Sequence, residues 1–249
     1  MFTIKHERFH PVVMDLRYEG SIEHAFALGR RQAQGFDVLI NNAGAAYYAP
    51  AKDINNEMIK ETMQVLFFGP LKLCQLAWSD LASNHGKLIQ ISSLATLLPI
   101  PYHAAYNAAK SAFSAYTRTL QIEAEEKGIA IVEVLPGDVN TQFHRHACNA
   151  TAAFAQASAG SKASLQSETM ERVKQIIQKR LARAPRPEKV ARVVARVCEM
   201  NRPPEQIYVG SFFQTCLARR AAGIFSTKTI YRWIRRYYGI THLLAVFLL

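Results

Sequence analysis

Apolar residues along this chain come in two rhythms: short unbroken runs, and longer stretches at helical spacing. Phe36-Asp37-Val38-Leu39-Ile40 reads as a buried strand, followed by the turn Asn41-Asn42-Ala43-Gly44. Residues 55–82 predict a long helix, with Met58, Met63, Leu66, Phe67, Leu71, Leu73 and Leu76 near helical spacing. Lys87-Leu88-Ile89-Gln90-Ile91 is the next strand, closed by Ser92-Ser93. An Ala-rich helix is expected over 104–126, then a strand over 129–135 that Pro136-Gly137 ends. Helices over 165–182 and 187–200 precede a short final strand, Ile207-Tyr208-Val209-Gly210. Strands alternating with helices are the order of a βαβ protein. Most of the apolar runs do not alternate in polarity, so they suit a parallel sheet covered on both faces. The fold class expected is α/β, doubly wound around a parallel sheet.

In such sheets ligands sit at the carboxyl ends of the strands. Asn41–Gly44, Ser93 and Pro136–Thr141 all fall at such ends and should converge on one crevice. The segment 148–167 is rich in Ala, Ser and Gln and reads as a loop, either a lid over a substrate or a plain connector.

Composition narrows the picture. With 249 residues, 49% apolar and 20% charged, the chain supports one globular domain and not wholesale disorder. Cys74, Cys148, Cys198 and Cys216 are widely spaced, with no C-x-x-C pair, so neither a metal site nor a disulfide framework is expected. That spacing, with no apolar signal segment at the N-terminus, reads as a cytoplasmic, reducing location. The net charge of +11 is uneven: residues 141–249 hold 18 Lys/Arg against 5 Asp/Glu. An anionic partner or a solvated basic face would explain it. Over 172–202 the positives are spaced as on an ordinary amphipathic helix.

The chemistry centres on Tyr106 and Lys110, four apart on one helix face. A nearby ammonium stabilises a phenolate, and a Tyr tuned this way can exchange a proton with a carbonyl or alcohol oxygen. Alone, such a pair is common on helix surfaces. Ser93, 13 residues earlier at a strand end, could hydrogen-bond the same oxygen; Ser92 is better read as the start of a turn.

Asn41-Asn42-Ala43-Gly44, Ile91-Ser92-Ser93, Tyr106-x-x-x-Lys110 and Pro136-Gly137-Asp138-Val139-Asn140-Thr141 occur in the order and spacing of the short-chain dehydrogenases/reductases. The chain resembles that family from about Val13 to Gly210. The resemblance implies that Tyr106 is the acid/base. Lys110 would bind the nicotinamide ribose and lower the Tyr106 pKa, and Ser93 would position the substrate oxygen. Cofactor contacts would fall on Asp15, near the adenine ring, on Asn41, Ala43 and Gly44, and on Pro136, Gly137 and Thr141, the last at the carboxamide. The cofactor implied is NADP or NAD, with NADP preferred; the residues that usually separate them lie on a segment not seen here. The substrate implied is a small-molecule carbonyl or alcohol. A homo-oligomer built through the helices at 55–82 and 104–126 is also implied.

Two departures stand out. The family's Gly-rich T-G-x-x-x-G-x-G turn, with its βαβ unit, is absent, which reads as a truncated or misassigned start. Without the first strand, the strand at 36–40 should have an exposed apolar edge. Second, Leu66 stands where the family has a catalytic Asn that holds a relay water, and Leu cannot hydrogen-bond that water.

Residues 1–222 are read as the family domain and 223–249 as a tail. The tail mixes Lys228, Arg232, Arg235 and Arg236 with Tyr231, Trp233, Tyr237 and Tyr238. Peripheral membrane contact, and a helix packed over the substrate pocket or in a subunit interface, fit it equally. Relatives acting on lipid-like ketones carry such tails, so the resemblance tilts the substrate toward lipids. Nucleic acid is not an expected partner, since no recognition motif accompanies the charge. An NAD(P)(H)-dependent oxidoreductase is the leading expectation; the alternative is a catalytically impaired relative kept for binding or scaffolding.

Overall fold

Residues 38–41, 87–91, 130–136 and 206–209 form one sheet in the computed structural model, which describes residues 8–157, 168–211, 214–215 and 226–240. In chain order these strands are β1 (Val38–Asn41), β2 (Lys87–Ile91), β3 (Ala130–Pro136) and β4 (Gln206–Val209). All pairs are parallel, in the order β1-β2-β3-β4. Parallel neighbours need crossovers, and helices supply them.

Before β1 runs α1 (Glu19–Ala33). Between β1 and β2 lie α2 (Asn56–Met63) and α3 (Gly69–Ser83), and α4 (Ala104–Glu123) leads to β3. After β3 come α5 (Phe143–Ala157), α6 (Glu168–Leu181) and α7 (Glu188–Glu199). The last described helix is α8 (Thr227–Tyr237).

The long helix predicted over 55–82 is a continuous rod, α2 to α3, with one irregularity. Its middle turn, Gln64–Phe68, is π-helical, and the Gly69 N–H reaches back to the Gln64 carbonyl. Such single π-turns recur at functional sites.

Side-chain alternation divides the sheet between two helical layers. Leu39, Leu88 and Ile131 face α3 and α4, with Cys74, Ala77, Leu81 and Leu120 against them. Ile89, Val132, Val134 and Val209 face α7, which contributes Val193, Val194 and Val197. Gly86 is required where the chain enters β2, because a Cβ there would lie 2.5 Å from the Asp37 carbonyl oxygen.

The segment read as a loop over 148–167 is helical through Ala157, and 158–167 lie outside the described residues. The apolar edge expected at the first strand is present: among the described residues β1 pairs with β2 alone, and Ile40 is 43% exposed.

Candidate active site

In register, Asn41 lies beside Gln90 and Gln90 beside Glu133, with β2 and β3 running on to Ile91 and Pro136, so the three predicted segments leave the same end of the sheet. Asn42, Ala43 and Gly44 are exposed on the turn after β1. Asn41 is not: its Nδ2 donates to Gln90 Oε1 at 2.9 Å and to Cys74 Sγ and the Pro70 carbonyl at 3.3 Å. Its side chain holds the turn to the sheet instead of facing a ligand.

Ser93 follows β2 and caps a short 3-10 turn, accepting from the Ala95 N–H at 3.1 Å. Ser92 is buried, and its hydroxyl has no partner among the described residues. Tyr106 and Lys110 lie in the first half of α4, both buried. Small residues there, Ala105 and Ala109, let the helix approach the neighbouring elements closely.

The spacing predicts that Lys110 lowers the Tyr106 pKa. In the structure burial raises the phenol, and the Ser93 hydroxyl pulls it back down by hydrogen bonding. Lys110 is turned the other way: its Nζ donates to the Ile91 carbonyl at 2.7 Å. Burial pushes the Lys110 ammonium down to about 8, and Glu133 holds it up against that cost.

Around Tyr106 the surroundings are apolar and aromatic. Leu66, Ala46, Tyr48, Ala109, Ala147 and Met170 form one cluster with it. The Phe143 ring lies 5.5 Å from the Tyr106 ring, and the His103 ring 6.0 Å on another side. Phe143 also covers Gly44, where a Cβ would meet its ring at 3.4 Å and Leu66 at 3.7 Å. Leu66 is thus a packed member of the site's apolar wall.

Buried beside Tyr106 is His103, which sequence reasoning passed over. It is 4% exposed, its ring stands edge-on to Tyr48 at 3.9 Å, and burial lowers its pKa to about 3. Tyr48 in turn meets His144 Nδ1 through its hydroxyl at 2.6 Å, and its N–H donates to Thr151 Oγ1 at 2.8 Å. These bonds seat α5 over the site.

The remaining predicted residues are engaged by neighbours in the chain. Thr141 is exposed and accepts from the Phe143 N–H at 3.3 Å, which starts α5. Asp15 accepts a fork of hydrogen bonds from Arg17, which holds its carboxyl below the usual range. Gly137 lies against the end of the Gln214 side chain, whose Oε1 would be 2.8 Å from a Cβ there, so a larger residue would have to push that side chain aside.

A cavity of about 570 Å³ opens beside Ser93, Pro136 and Gly137. Leu94, Leu98, Ile230, Trp233 and Ile234 give it apolar walls. At one end Asp138 Oδ2 accepts from Gln214 Nε2 at 2.7 Å and from the Tyr237 hydroxyl at 3.0 Å. The Arg180 guanidinium stacks on the Tyr237 ring at 3.4 Å and donates to its carbonyl. Of the two readings of the tail, packing over the pocket describes α8, whose inner face walls this cavity. Among the described residues no helix is long and apolar enough to cross a membrane.

Comparison with known proteins gives consistent matches. Residues 3–152 match the family model described as short chain dehydrogenase. An NADPH-dependent 1-acyldihydroxyacetone phosphate reductase of Schizosaccharomyces pombe is 33% identical over 131 residues, covering 52% of this chain and 44% of the relative. A 3-ketodihydrosphingosine reductase of Bacteroides thetaiotaomicron is 27% identical over 211 residues, covering 84% and 75%. The chain spans about half the length of the first curated relatives it matches. Among solved structures, a short chain dehydrogenase of Burkholderia cenocepacia in complex with NADP superposes with a TM-score of 0.67 at 19% identity, covering 92% of this chain and 79% of that one. At that identity the likeness is one of fold.

Proposed function

Since the chain belongs to the short-chain dehydrogenase family, we propose that it is an NAD(P)(H)-dependent oxidoreductase interconverting a carbonyl and an alcohol. The observation that carries the reading is Tyr106, tuned by Ser93 and one helical turn from Lys110, at the carboxyl ends of the strands. The nicotinamide cofactor supplies or accepts the hydride. Residues fit to hold it are the exposed Ala43–Gly44 backbone, Asp15, Thr141, Pro136–Gly137, and Lys110, which has two ammonium N–H groups beyond its bond to Ile91. Tyr106 gives or takes the proton at the substrate oxygen, and Ser93 orients that oxygen. Phe143 and α5 must draw back from Gly44 and Tyr106 for substrate to reach the hydroxyl. NADP is preferred over NAD because the fission-yeast relative is an NADPH-dependent reductase and the Burkholderia structure holds NADP.

The substrate class is a lipid-like ketone or alcohol. The apolar cavity beside Ser93, with its polar end at Asp138 and Tyr237, suits a long hydrocarbon body. Both curated relatives named above are reductases of lipid-related ketones. On the outer face of α8, Lys228, Arg232 and Arg235 are exposed around Tyr231, which supports peripheral contact with an anionic membrane. Exposed Phe68 and Ile122, on the two helices named for assembly, support a homo-oligomer.

The test is nicotinamide oxidation monitored by absorbance with a panel of long-chain ketones. Tyr106→Phe should lower kcat by about 100-fold or more; a variant that keeps its rate refutes the assignment. A second reading, a fold retained for binding, is favoured by Leu66 and by Phe143 over Tyr106. Cofactor titration followed by fluorescence separates the two: saturable binding with no turnover on any ketone supports the second.

A further inference from the structure

One level of the sheet is polar across all four strands. Asn41 is in register with Gln90, Gln90 with Glu133, and Glu133 with Gln206. Two residues earlier on the same face the positions are Leu39, Leu88 and Ile131, all apolar. The row is buried: Asn41 is 6% exposed, and Gln90 and Glu133 are 0% exposed. Asn41 and Gln90 satisfy each other and share the Cys74 sulfur. Gln206 Nε2 donates to Glu133 Oε2 at 2.8 Å, and the Tyr208 hydroxyl steadies Gln206 Oε1 at 3.1 Å. Glu133 Oε1 has no partner among the described residues.

A carboxylate so deeply buried is costly unless it meets a charge or a full set of donors. By alternation Glu133 shares its face with Ile131, which packs on α4. That helix carries Lys110, 5% exposed, with three donors and one bond, to Ile91. The other elements packed here bring Gln90 from β2, Gln206 and Tyr208 from β4, and Cys74 from α3, so Lys110 is the cation facing Glu133 among the described residues. The Lys110 ammonium is bonded to Ile91, whose register partner Val134 adjoins Glu133, so two incomplete hydrogen-bond sets of opposite charge lie in the same layer, and the Glu133 charge favours the charged form of Lys110.

We propose that Glu133 is a positioning residue for Lys110: its free oxygen, beyond ion-pair distance of the ammonium in this structure, receives an ammonium N–H through one bridging water, while Gln206 holds the carboxylate in that aim. The pairing keeps Lys110 charged and fixes its side chain one turn from Tyr106. It rests on the reading of Tyr106 and Lys110 as the site, but it is a property of the chain without cofactor.

The test titrates Lys110 in the full chain by carbon NMR of ε-labelled lysine, its signal assigned by loss in Lys110→Met. The unsubstituted protein should titrate near 8. In Glu133→Gln the midpoint should fall to below about 7, a tenfold or larger loss of the charged form, because a partner charge within reach moves a pKa by about 1–3. Glu133→Asp should recover part of the fall. An unchanged midpoint in a folded Glu133→Gln overturns the proposal. If Glu133→Gln does not fold, Gln206→Leu carries the test: a lowered midpoint supports the anchor, and an unmoved one overturns it. A Lys110 that responds as described in a protein that reduces no ketone refutes the proposed activity and leaves this pairing standing.

Discussion

Replacing Leu66 by Asn would restore the family's residue but put an amide into a wall of hydrocarbon. Leu66 is 1% exposed and packs with Ala46, Tyr48, Tyr106 and Ala109, its methyl near Gly44. Losing the buried Leu side chain costs about 1.5–3 kcal/mol. An amide left without partners costs about 1–3 kcal/mol more. The two together come to about 2.5–6 kcal/mol, a large share of the roughly 5–15 kcal/mol that holds a domain folded. A carbonyl loosened by the π-turn could accept one amide N–H and return about 1 kcal/mol. Urea unfolding by linear extrapolation measures the loss. Leu66→Met is the control, a near volume-conserving change expected to cost less than about 1.5 kcal/mol. Turnover measured on both variants completes the comparison. A Leu66→Asn protein within about 1 kcal/mol of the parent and faster in turnover would refute the reasoning, and would mean that a polar, hydrated relay exists where the structure has packing.

Further outcomes follow from the surrounding contacts. His103 has a folded pKa of about 3, below its value in the unfolded chain. The unfolded chain therefore takes up the proton first, and stability present above about pH 6.5 is lost as pH falls toward 3. At pH 4 the loss from this group is about 3 kcal/mol, and His103→Phe should flatten the acid limb in urea unfolding measured at several pH values. Asp80→Asn breaks the fork from Arg30, whose nitrogens lie 2.8–3.0 Å from the carboxylate. Because Arg30 is 57% exposed, the expected cost is about 1 kcal/mol, smaller in high salt; a salt-independent loss would assign it to packing. Tyr237→Phe removes the hydroxyl shared by Asp138 and Gln214. KM for long-chain ketones should rise about fivefold with kcat little changed, since a hydrogen bond of about 1 kcal/mol is lost from the pocket wall and none from the reacting atoms.

What the sequence disclosed, it disclosed through contrast. The strands at 38–41, 87–91 and 130–136 are mostly apolar runs that do not alternate cleanly, and their ends carry the motif residues, so the crevice could be placed. Helix α1 left little trace, because its apolar residues are few and its two glycines weaken the pattern. The π-turn at Gln64–Phe68 has no residue signature distinct from ordinary helix. Glu133 was hidden by its neighbours: within Ile131-Val132-Glu133-Val134-Leu135 a single acid reads as an interruption, and its partners come from β4 and α4. Lys110 was placed correctly on one face with Tyr106, yet its ammonium is drawn to Ile91, because a buried cation takes the nearest carbonyl. The apolar and basic residues of the tail were visible; which of them turn inward was decided by Tyr237 finding Asp138 across the pocket.

The open side of β1 bears on how the protein can be handled in solution. Its main-chain donors and acceptors facing away from β2 have no strand beside them among the described residues, and Val38-Leu39-Ile40 offers neither proline nor charge to deter one. Such an edge templates further strands from other molecules. Self-association at this edge should grow with protein concentration, and Ile40→Lys should reduce it without altering the unfolding midpoint by much.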